Sequence, residues 1–287
     1  MTATILDGKG TAAEIKDELR ERVAGLQARD VVPGLATVLI GDDAGSHVYV
    51  RNKHKACADV GIASFRHDLP ADASRDDVLA LIARLNADRA IDGFLVQYPV
   101  PAHLDYSEII MAVDPAKDAD GLHPTNLGHL ALGTHGHPRP GTPLGIVELL
   151  ARFKVPIEQR HVVIVGRGPT VGRPLSMLLS LKEPNANATV TQCHTGTNFL
   201  PEYTQQADIL VAATGRAGLI TADMVRPGAA VLDVGITRTE AGIRGDVDPE
   251  VAEVAGWLAP VPGGVGPMTI AMLMRSVVEA AERRATR

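Results

Sequence analysis

Apolar residues follow two alternating spacings along the first half of the chain. Residues 11–28 carry apolar side chains at the three- and four-residue intervals of one helix face. Pro33 and Gly34 interrupt this pattern, and the apolar run 35–40 that follows predicts a buried strand. The alternation continues with a helix over 46–61, a strand over 62–65, a helix over 74–90 and a strand over 93–96. Such alternation predicts an α/β fold with a mostly parallel sheet.

A second series of strands begins at His161 and predicts a second domain. Its further strands are expected over 188–193, 207–213 and 229–234. Proline- and glycine-rich segments at 134–143 and 260–267 predict two crossings between the domains, and an amphipathic helix over 268–285 is expected to pack back on the first. We therefore expect residues 1–140, completed by 268–287, to form one domain and residues 141–267 to form another, with a ligand-binding cleft between them.

The helix predicted over 46–61 places a tyrosine and a lysine on one face. Ser46 is suited to be its N-cap, and Gly61 is suited to end it in the left-handed conformation. Tyr49 and Lys53 are four positions apart, so they project to the same side, in line with small and apolar residues further along. Lys53 is therefore expected to point inward, either as a proton carrier or as a structural lysine whose ammonium reaches water.

Polar residues follow the third predicted strand. Gln97 is the first of them, and ligands of open α/β sheets usually bind just beyond the carboxyl ends of strands. Asp114, Asp118 and Asp120 come next, at a spacing that suggests a metal loop, but no glutamate follows twelve positions on. We interpret this segment as a turn-rich loop that offers one carboxylate to a ligand.

Four histidines also invite a metal interpretation. They lie in a glycine- and proline-rich connector without the spacing of a zinc site and without a cysteine nearby. We expect them to be solvated loop residues, and we expect no metal. These residues are His123, His129, His135 and His137.

A glycine-rich turn follows the strand that starts at His161. Gly166, Gly168 and Gly172 have a spacing one residue longer than that of the Rossmann fingerprint, and the strands that follow favour a dinucleotide site. The second strand of this series ends without the acidic residue that NAD enzymes commonly use for the ribose hydroxyls. Arg167 in the first loop and Thr195 at the second strand's exit favour NADP.

Composition excludes several classes of partner. The chain has 287 residues, of which 45% are hydrophobic and 22% charged, as is typical of a globular protein with two cores. Its net charge of −6 argues against a nucleic-acid or anionic-membrane surface. No apolar run is long enough for a membrane helix or a signal core, and two cysteines suit a reducing compartment. We expect a cytoplasmic protein with a small-molecule substrate.

Together these segments resemble the bifunctional methylenetetrahydrofolate dehydrogenase/methenyltetrahydrofolate cyclohydrolase family of the FolD type. The resemblance extends nearly end to end, and the order and spacing of the segments make it specific. They are VYVRNKHKAC, DGFLVQYPVP, KDADGLHPTNLG, VGRGPTVGRP, ATVTQCHTGT, LDVGI, GDVD and PVPGGVGPMTIAML.

The resemblance implies a folate-binding catalytic domain, a Rossmann-like NADP-binding domain and an active site between them. It implies that Lys53 is the catalytic acid and base, that Gln97 tunes it, and that Tyr49 orients the folate. Asp120 would hold the pterin, and Pro262 and Gly263 would line the site. A homodimer acting on tetrahydrofolate derivatives, in the one-carbon metabolism that supplies purine biosynthesis, is also implied. The implied cofactor contacts are Gly166, Arg167, Gly168, Thr195 and Ile236.

Three residues depart from the family pattern. Gly168 replaces a common serine, Gly141 a common cysteine and Tyr98 a common leucine. None of them touches the pair formed by Tyr49 and Lys53, so we expect effects on affinity and not on activity.

A site with a single lysine can serve both reactions. Removal of a hydride from the methylene carbon is driven by the neighbouring nitrogens and needs positioning above all. Hydrolysis of the resulting cation needs a group that exchanges a proton near neutral pH, and a lysine withdrawn from water can do so because desolvation disfavours an ammonium ion.

Two other functions stay open at this point. One is another two-domain NADP-dependent oxidoreductase of the shikimate-dehydrogenase type, which would lack the Tyr49 and Lys53 pair together with Gln97 and Asp120. The other is a dinucleotide-binding sensor without catalytic activity, which gives no reason to direct a lysine inward.

Overall fold

Parallel strands alternate with helices through most of the computed structural model, which describes residues 2–240 and 242–286. The strands are β1 (Thr4–Ile5), β2 (Gly34–Ile40), β3 (Ala63–Leu69), β4 (Gly93–Val96), β5 (His161–Val165), β6 (Thr189–Cys193), β7 (Ile209–Ala212), β8 (Ala230–Asp233), β9 (Thr237–Thr239), β10 (Gly242–Arg244) and β11 (Trp257–Ala259). The helices are α1 (Gly8–Gln27), α2 (Ala44–Val60), α3 (Arg75–Ala87), α4 (Tyr106–Ala112), α5 (Pro124–Leu132), α6 (Gly141–Arg152), α7 (Gly172–Ser180), α8 (Leu200–Thr204) and α9 (Val265–Ala285). The predicted parallel α/β architecture is confirmed.

The chain divides into two units. The three-stranded unit contains Ala13–Gly141 and the residues from Ile270 onward. The six-stranded unit contains the residues up to Ala12 and Thr142–Thr269. The first twelve residues therefore belong with the second half of the chain, and β1 pairs in parallel with β11.

The three-stranded unit is built on a parallel sheet with the order β3, β2, β4. All seven residues of β2 are buried, because neighbouring strands flank it and helices pack on the sheet. The predicted strands at 35–40 and 93–96 are confirmed. The second strand is longer than predicted and extends to Leu69, because its exposed, largely polar residues still pair with the backbone of β2 over its whole length.

The last helix is bonded to this sheet. Arg284 donates to both carboxylate oxygens of the buried Asp92, at 2.7 and 3.1 Å. The same carboxylate accepts from the backbone N–H of Gly34 at 3.0 Å. In the same unit, the sulfur atoms of Cys57 and Met274 are 3.5 Å apart in the core. The expected packing of the C-terminal helix on the first half of the chain is confirmed at these contacts.

The six-stranded unit has the parallel order β6, β5, β7, β8, β11, β1. Strands β7 and β8 are buried along their length and β5 nearly so, as expected for a sheet covered on both faces. The four strands predicted from His161 onward are confirmed.

Helix α5 lies where a connector was expected, whereas α4 and most of α6 lie in segments for which no element was predicted. Glycines and prolines in these segments hide the helical signal, since Pro124 lies at the first turn of α5 and Gly133 ends it in the left-handed conformation. Helix α6 does carry a helical pattern, with Ile146, Leu149 and Leu150 buried. Among the described helices, none is both long and apolar enough to cross a membrane.

Candidate active site

Helix α2 carries the predicted tyrosine and lysine and starts directly beyond β2. Its N-cap is Asp43, whose carboxylate accepts from the backbone N–H of Ser46 at 2.7 Å. The prediction that Ser46 caps the helix was therefore wrong, because the carboxylate three residues earlier takes that role. Gly61 ends the helix with a φ of 83°, as predicted.

The buried face of α2 includes Lys53 but not Tyr49. Lys53 is 9% exposed, whereas Lys55 lies on the solvent side. Tyr49 is 43% exposed. The expectation that Tyr49 shares the buried face was wrong, because the first turns of α2 bury Ser46 and Val50 instead, and Tyr49 lies on the exposed side with Val48. An exposed ring at this position offers a face to a planar ligand.

The amine of Lys53 is held by a neutral acceptor. Its Nζ donates to Oε1 of Gln97 at 3.1 Å. Gln97 follows β4, and its backbone N–H donates to the carbonyl of Val38 at 2.8 Å. Its side-chain N–H donates to the carbonyl of Tyr98 at 2.8 Å, which turns the amide oxygen toward the lysine. No carboxylate of the described residues forms an ion pair with Lys53.

The loop after α4 is organised by a buried aspartate. Asp118 accepts from the backbone N–H groups of Gly121 at 3.0 Å and His123 at 2.7 Å, and from the side chain of Asn126 at 2.9 Å. Burial raises the pKa of its carboxyl group, against the effect of these donors. The backbone of Asp118 also bridges to Phe94 in β4. This network fixes the backbone on both sides of Asp120.

The carboxylate of Asp120 is half-buried and has no hydrogen-bond partner among the described residues. Tyr106 lies close to it, and burial together with the charge of Asp120 raises the pKa of its hydroxyl. The ring of Tyr106 packs edge-on against Tyr98, with centroids 5.1 Å apart. The cavity here is lined by Phe94, Leu95, Val96, Tyr106, Ile110, Val113, Asp118, Asp120 and Leu122. The sequence analysis did not find Tyr106, and the spacing of the aspartates did not tell which one is buried.

The glycine-rich turn after β5 is tightly packed at two positions and open at the third. Gly166 has a φ of 132°, and a Cβ there would lie 2.2 Å from the carbonyl oxygen of Ala213. A Cβ at Gly172 would lie 2.2 Å from the carbonyl oxygen of Gly166, whereas one at Gly168 would meet no atom within 4 Å. Arg167 is exposed and has no partner among the described residues. An open backbone surface beside a free guanidinium fits the phosphates of a dinucleotide.

Thr195 and Ile236 follow two strands of the same sheet, β6 and β8, which are separated by β5 and β7. Thr195 is exposed in the turn after β6, and no acidic residue ends that strand. The side-chain N–H of Gln192 in β6 donates to the carbonyl of Gly166 at 3.1 Å, which ties this strand to the glycine-rich turn. Ile236 follows β8 and is half exposed. The residues predicted to contact the cofactor thus lie at the carboxyl ends of strands β5, β6 and β8.

Pro262 and Gly263 belong to the six-stranded unit, in the turn before α9. Pro262 is exposed, and Gly263 has a φ of 105°. The carbonyl of Gly263 accepts from the backbone N–H of Lys9 at 3.0 Å. Tyr49, Lys53, Gln97 and Asp120 belong to the three-stranded unit.

His123 differs from the solvated loop residue that was expected. It is buried and caps α5, where its Nδ1 accepts from the backbone N–H of Thr125 at 3.0 Å. His129 lies on α5 and its ring stacks on that of His137, with centroids 3.4 Å apart. Over the residues that the structure describes, no three histidine, cysteine, aspartate or glutamate side chains form a group suited to a metal ion.

Comparison with protein families gives two matches. Residues 6–120 match the catalytic domain of tetrahydrofolate dehydrogenase/cyclohydrolase. Residues 140–285 match the NAD(P)-binding domain of the same family.

Solved structures with similar folds cover nearly the whole chain. A bifunctional FolD methylenetetrahydrofolate dehydrogenase/cyclohydrolase of Campylobacter jejuni is 43% identical, with a TM-score of 0.95 over 98% of this chain and 99% of that one. A 5,10-methylenetetrahydrofolate dehydrogenase of the silkworm Bombyx mori is 42% identical, with a TM-score of 0.94 over 99% and 100%. The enzyme of Trypanosoma brucei, complexed with NADP and an inhibitor, is 36% identical, with a TM-score of 0.93 over 100% of both chains.

A shikimate dehydrogenase of Aquifex aeolicus is also similar, but far more distantly. It is 14% identical, with a TM-score of 0.51 over 89% of this chain and 98% of that one. This likeness concerns the fold alone.

Proposed function

The chain belongs to the tetrahydrofolate dehydrogenase/cyclohydrolase family, and from the geometry around Lys53 we propose how its residues perform the two reactions. The enzyme oxidises 5,10-methylenetetrahydrofolate to the 5,10-methenyl form and then hydrolyses this product to 10-formyltetrahydrofolate. When bound, NADP supplies the acceptor for the hydride. The observation that carries the proposal is the hydrogen bond of 3.1 Å from a buried lysine to a neutral amide.

We propose that Lys53 moves the protons of the hydrolysis. Water adds its oxygen to the methenyl carbon and transfers a proton to the neutral amine. The bond from this carbon to one ring nitrogen then breaks while that nitrogen takes a proton from the ammonium. The hydroxyl proton leaves to solvent as the formyl carbonyl forms, so one water is consumed and one proton is released.

Gln97 is proposed to hold the amine in place without fixing its charge. A carboxylate partner would stabilise the ammonium form and oppose release of the proton, whereas an amide oxygen accepts a hydrogen bond from either form of the amine. The bond from Gln97 to the carbonyl of Tyr98 maintains this orientation.

The remaining residues are proposed to position the substrate. Tyr49 presents an exposed ring on which the folate can stack. The carboxylate of Asp120, unpaired among the described residues, is suited to the N–H groups of the pterin's amino-pyrimidine edge. Pro262 and Gly263 are proposed to contact the same substrate. We assign the folate to the three-stranded unit and the cofactor to the six-stranded unit, which also contains β1 from the predicted first domain of residues 1–140.

We also propose that NADP is preferred over NAD. Gly166 and Gly168 would let the backbone approach the phosphates of the bound cofactor, Arg167 would pair with its 2′-phosphate, and the hydroxyl of Thr195 would donate a hydrogen bond to it. The strand end at Thr195 has no carboxylate to repel that phosphate. Ile236 is proposed to contact the nicotinamide half.

The decisive experiment compares two lysines of the same helix. Lys53→Met keeps the length of the side chain and removes the amine, and Lys55→Met makes the same change at an exposed position. Hydrolysis of supplied methenyltetrahydrofolate should fall by about 10²–10⁴-fold in Lys53→Met, the range typical of a positioned general acid or base. Formation of NADPH from methylenetetrahydrofolate should fall less, and the methenyl compound should accumulate.

Normal hydrolysis by Lys53→Met would show that this lysine is structural and that the proton carrier lies elsewhere. A parallel loss in Lys55→Met would show that the effect comes from the charge of the helix and not from the position of the amine.

A homodimer, a cytoplasmic location and a supply of formyl groups to purine biosynthesis are further proposals. Support for the dimer comes from β3, a seven-residue edge strand with exposed Phe65 and Arg66. Edge strands of this length are suited to pairing with a second chain. Two free, buried cysteines support a reducing compartment. Light scattering should give twice the monomer mass, and Phe65→Glu should reduce it toward that of one chain.

A further inference from the structure

A buried aspartate ties together two loops of the six-stranded unit. Asp246 follows β10 and is fully buried. One of its carboxylate oxygens, Oδ2, accepts from the backbone N–H of Thr214 at 2.5 Å, from the hydroxyl of Thr214 at 2.8 Å and from the backbone N–H of Gly215 at 3.1 Å. Thr214 and Gly215 form the loop after β7. A residue about thirty positions further along the chain therefore fixes this strand end.

The same carboxylate faces the loop after β8. A Cβ at Gly235 would lie 2.0 Å from Oδ1 of Asp246, so only glycine allows this approach. Gly235 directly precedes Ile236, one of the proposed cofactor contacts. Further on, the hydroxyl of Thr237 donates to the carbonyl of Gly215 at 3.0 Å, which joins the two loops. Asp246 is thus the common support behind the strand ends of β7 and β8.

A second buried acid holds Asp246 in place. Asp233, the last residue of β8, accepts from the backbone N–H of Asp246 at 2.8 Å and from that of Val247 at 3.1 Å. A Cβ at Gly245 would lie 1.7 Å from Oδ2 of Asp233. Burial, together with the nearby charge of Asp246, raises the pKa of Asp233 to about 6.

Burying Asp233 and Asp246 in this way lowers the stability of the folded state, which a residue with a purely structural role would not be expected to do. Oδ1 of Asp246 is buried and has no hydrogen-bond partner among the described residues. No lysine, arginine or histidine of those residues forms an ion pair with either acid. Buried polar atoms without partners lower stability and are rare in folded proteins. Such a cluster, beside the loop that carries the proposed cofactor contact Ile236, indicates a functional constraint on the position of that loop and of the loop after β7.

We propose that Asp246, held by Asp233, is the positioning residue for loop 234–236, which carries the proposed cofactor contact Ile236, and for the adjoining loop 213–216, and that it sets the affinity for NADP(H). This proposal rests on the assignment of NADP to the same unit. Asp246 does not touch the folate chemistry, and its effect passes through Thr214, Gly215 and Gly235.

The test separates binding of the cofactor from hydrolysis, which requires no hydride acceptor. In Asp246→Ala the three donors of Thr214 and Gly215 lose their acceptor, and the dissociation constant for NADPH, measured by fluorescence titration, should rise roughly tenfold or more. Asp246→Asn keeps an oxygen for these donors and should give an intermediate value. Hydrolysis of supplied methenyltetrahydrofolate and its KM should stay within about twofold of the wild type in both variants, since a positioning role in these loops does not reach Lys53.

Asp248→Ala is the matched control. This partly exposed aspartate lies two residues further on and caps a short helical turn through the backbone N–H of Glu250 at 3.0 Å. Its removal should leave NADPH binding unchanged.

Two results would overturn the proposal. One is unchanged NADPH binding in Asp246→Asn and Asp246→Ala. The other is a joint loss of binding and hydrolysis in proportion to the loss of folded protein, which would make the acid a purely structural residue. Failure of the proposed function would appear differently, as absence of hydrolysis in the wild type or normal hydrolysis in Lys53→Met. The NADPH titration stays interpretable in either case.

Discussion

In both units the candidate site residues lie at the carboxyl ends of parallel strands, but the two sites differ in the kinds of group that they contain. In the three-stranded unit the site contains a buried lysine held by Gln97 and a half-buried carboxylate at Asp120. In the six-stranded unit the strand ends expose glycine backbone and an unpaired Arg167. Proton transfer needs a group that is held in a fixed position, whereas recognition of phosphates needs charge on an open loop. The difference agrees with the tasks that we propose for the two units.

Both units also place a buried aspartate behind the residues that face the ligand. Asp118 has donors on both carboxylate oxygens, and Asp246 has them on only one. The carboxylate of Asp118 is therefore fully bonded, whereas that of Asp246 has one unsatisfied oxygen; in the first network the unsatisfied atom is instead Oδ1 of Asn126. The comparison between the two units can be tested with variants of their buried aspartates and of the glycine-rich turn after β5.

The largest effect on stability is expected at Asp118. Asp118→Ala leaves the N–H groups of Gly121 and His123 and the amide of Asn126 without their acceptor, and the free energy of unfolding should fall by about 3 kcal/mol. Asp114→Ala is the control, since this exposed aspartate caps only one N–H and should cost about 1 kcal/mol. Urea unfolding measures both. Equal losses would show that the buried network contributes no more than a surface cap.

Arg167→Ala tests whether recognition in the six-stranded unit depends on an exposed charge. Loss of one charge-assisted hydrogen bond is worth about 1.5–3 kcal/mol, so kcat/KM with NADP should fall roughly ten- to a hundredfold while that with NAD changes little. The control is Arg160→Ala. Arg160 is exposed and directly precedes the first residue of β5, so its removal should leave both kcat/KM values unchanged. Equal efficiency of the wild type with NADP and NAD would contradict the assignment of Arg167 to the 2′-phosphate.

Asp233 gives the six-stranded unit a characteristic pH dependence. Its pKa is raised to about 6 from 3.8, so the folded protein binds this proton more tightly than the unfolded chain does. The resulting stability is present at low pH and is lost as the pH rises through about 6. Relative to Asp233→Asn, the free energy of unfolding of the wild type should therefore fall by on the order of 2 kcal/mol from about pH 4 to about pH 7.

Denaturant unfolding of both proteins over this pH range measures the difference. Parallel curves for the two proteins would show that Asp233 titrates normally and that burial does not disturb it.

The smallest effect is expected at Gly168, where this chain departs from the family's serine. A Cβ there meets no atom within 4 Å, so Gly168→Ser should change the free energy of unfolding by no more than about 0.5 kcal/mol. The added hydroxyl should strengthen NADPH binding by a few-fold, as one neutral hydrogen bond does. Gly172→Ser is the contrasting variant, because its Cβ would lie 2.2 Å from the carbonyl oxygen of Gly166. If both serines are tolerated equally, the packing of this turn is looser than the structure indicates.

Local patterns in the sequence predicted the parts of the fold that depend on short-range spacing. Strands β2 to β8, the helix that carries Lys53 and the position of Gln97 beyond a strand follow from runs and periods within about twenty residues, whereas β1, β9, β10 and β11 were not predicted. Helix α5 was missed because its prolines and glycines are also typical of loops. The burial of His123 was missed for the same reason, since its role as a cap depends on the helix that follows it.

Contacts between distant residues were beyond such patterns. The hydrogen bond from Lys53 to Gln97 spans 44 positions, and that from Thr214 to Asp246 spans 32. Nothing local in the sequence shows that Asp118 is buried and Asp120 faces the cavity, although both are aspartates two positions apart. The roles proposed for Tyr49, Asp120 and Ile236 rest on the resemblance to the family.

The ion pair between Asp92 and Arg284 has a consequence for biosynthesis. The two residues are 192 positions apart, and the sulfur contact between Cys57 and Met274 also spans most of the chain. At a translation rate of about 5–20 residues per second, Arg284 is added roughly 10–40 s after Asp92. During this interval the core of the three-stranded unit is incomplete, although most of the residues of this unit are synthesised before most of those of the six-stranded unit. The core can close only after α9 has been made.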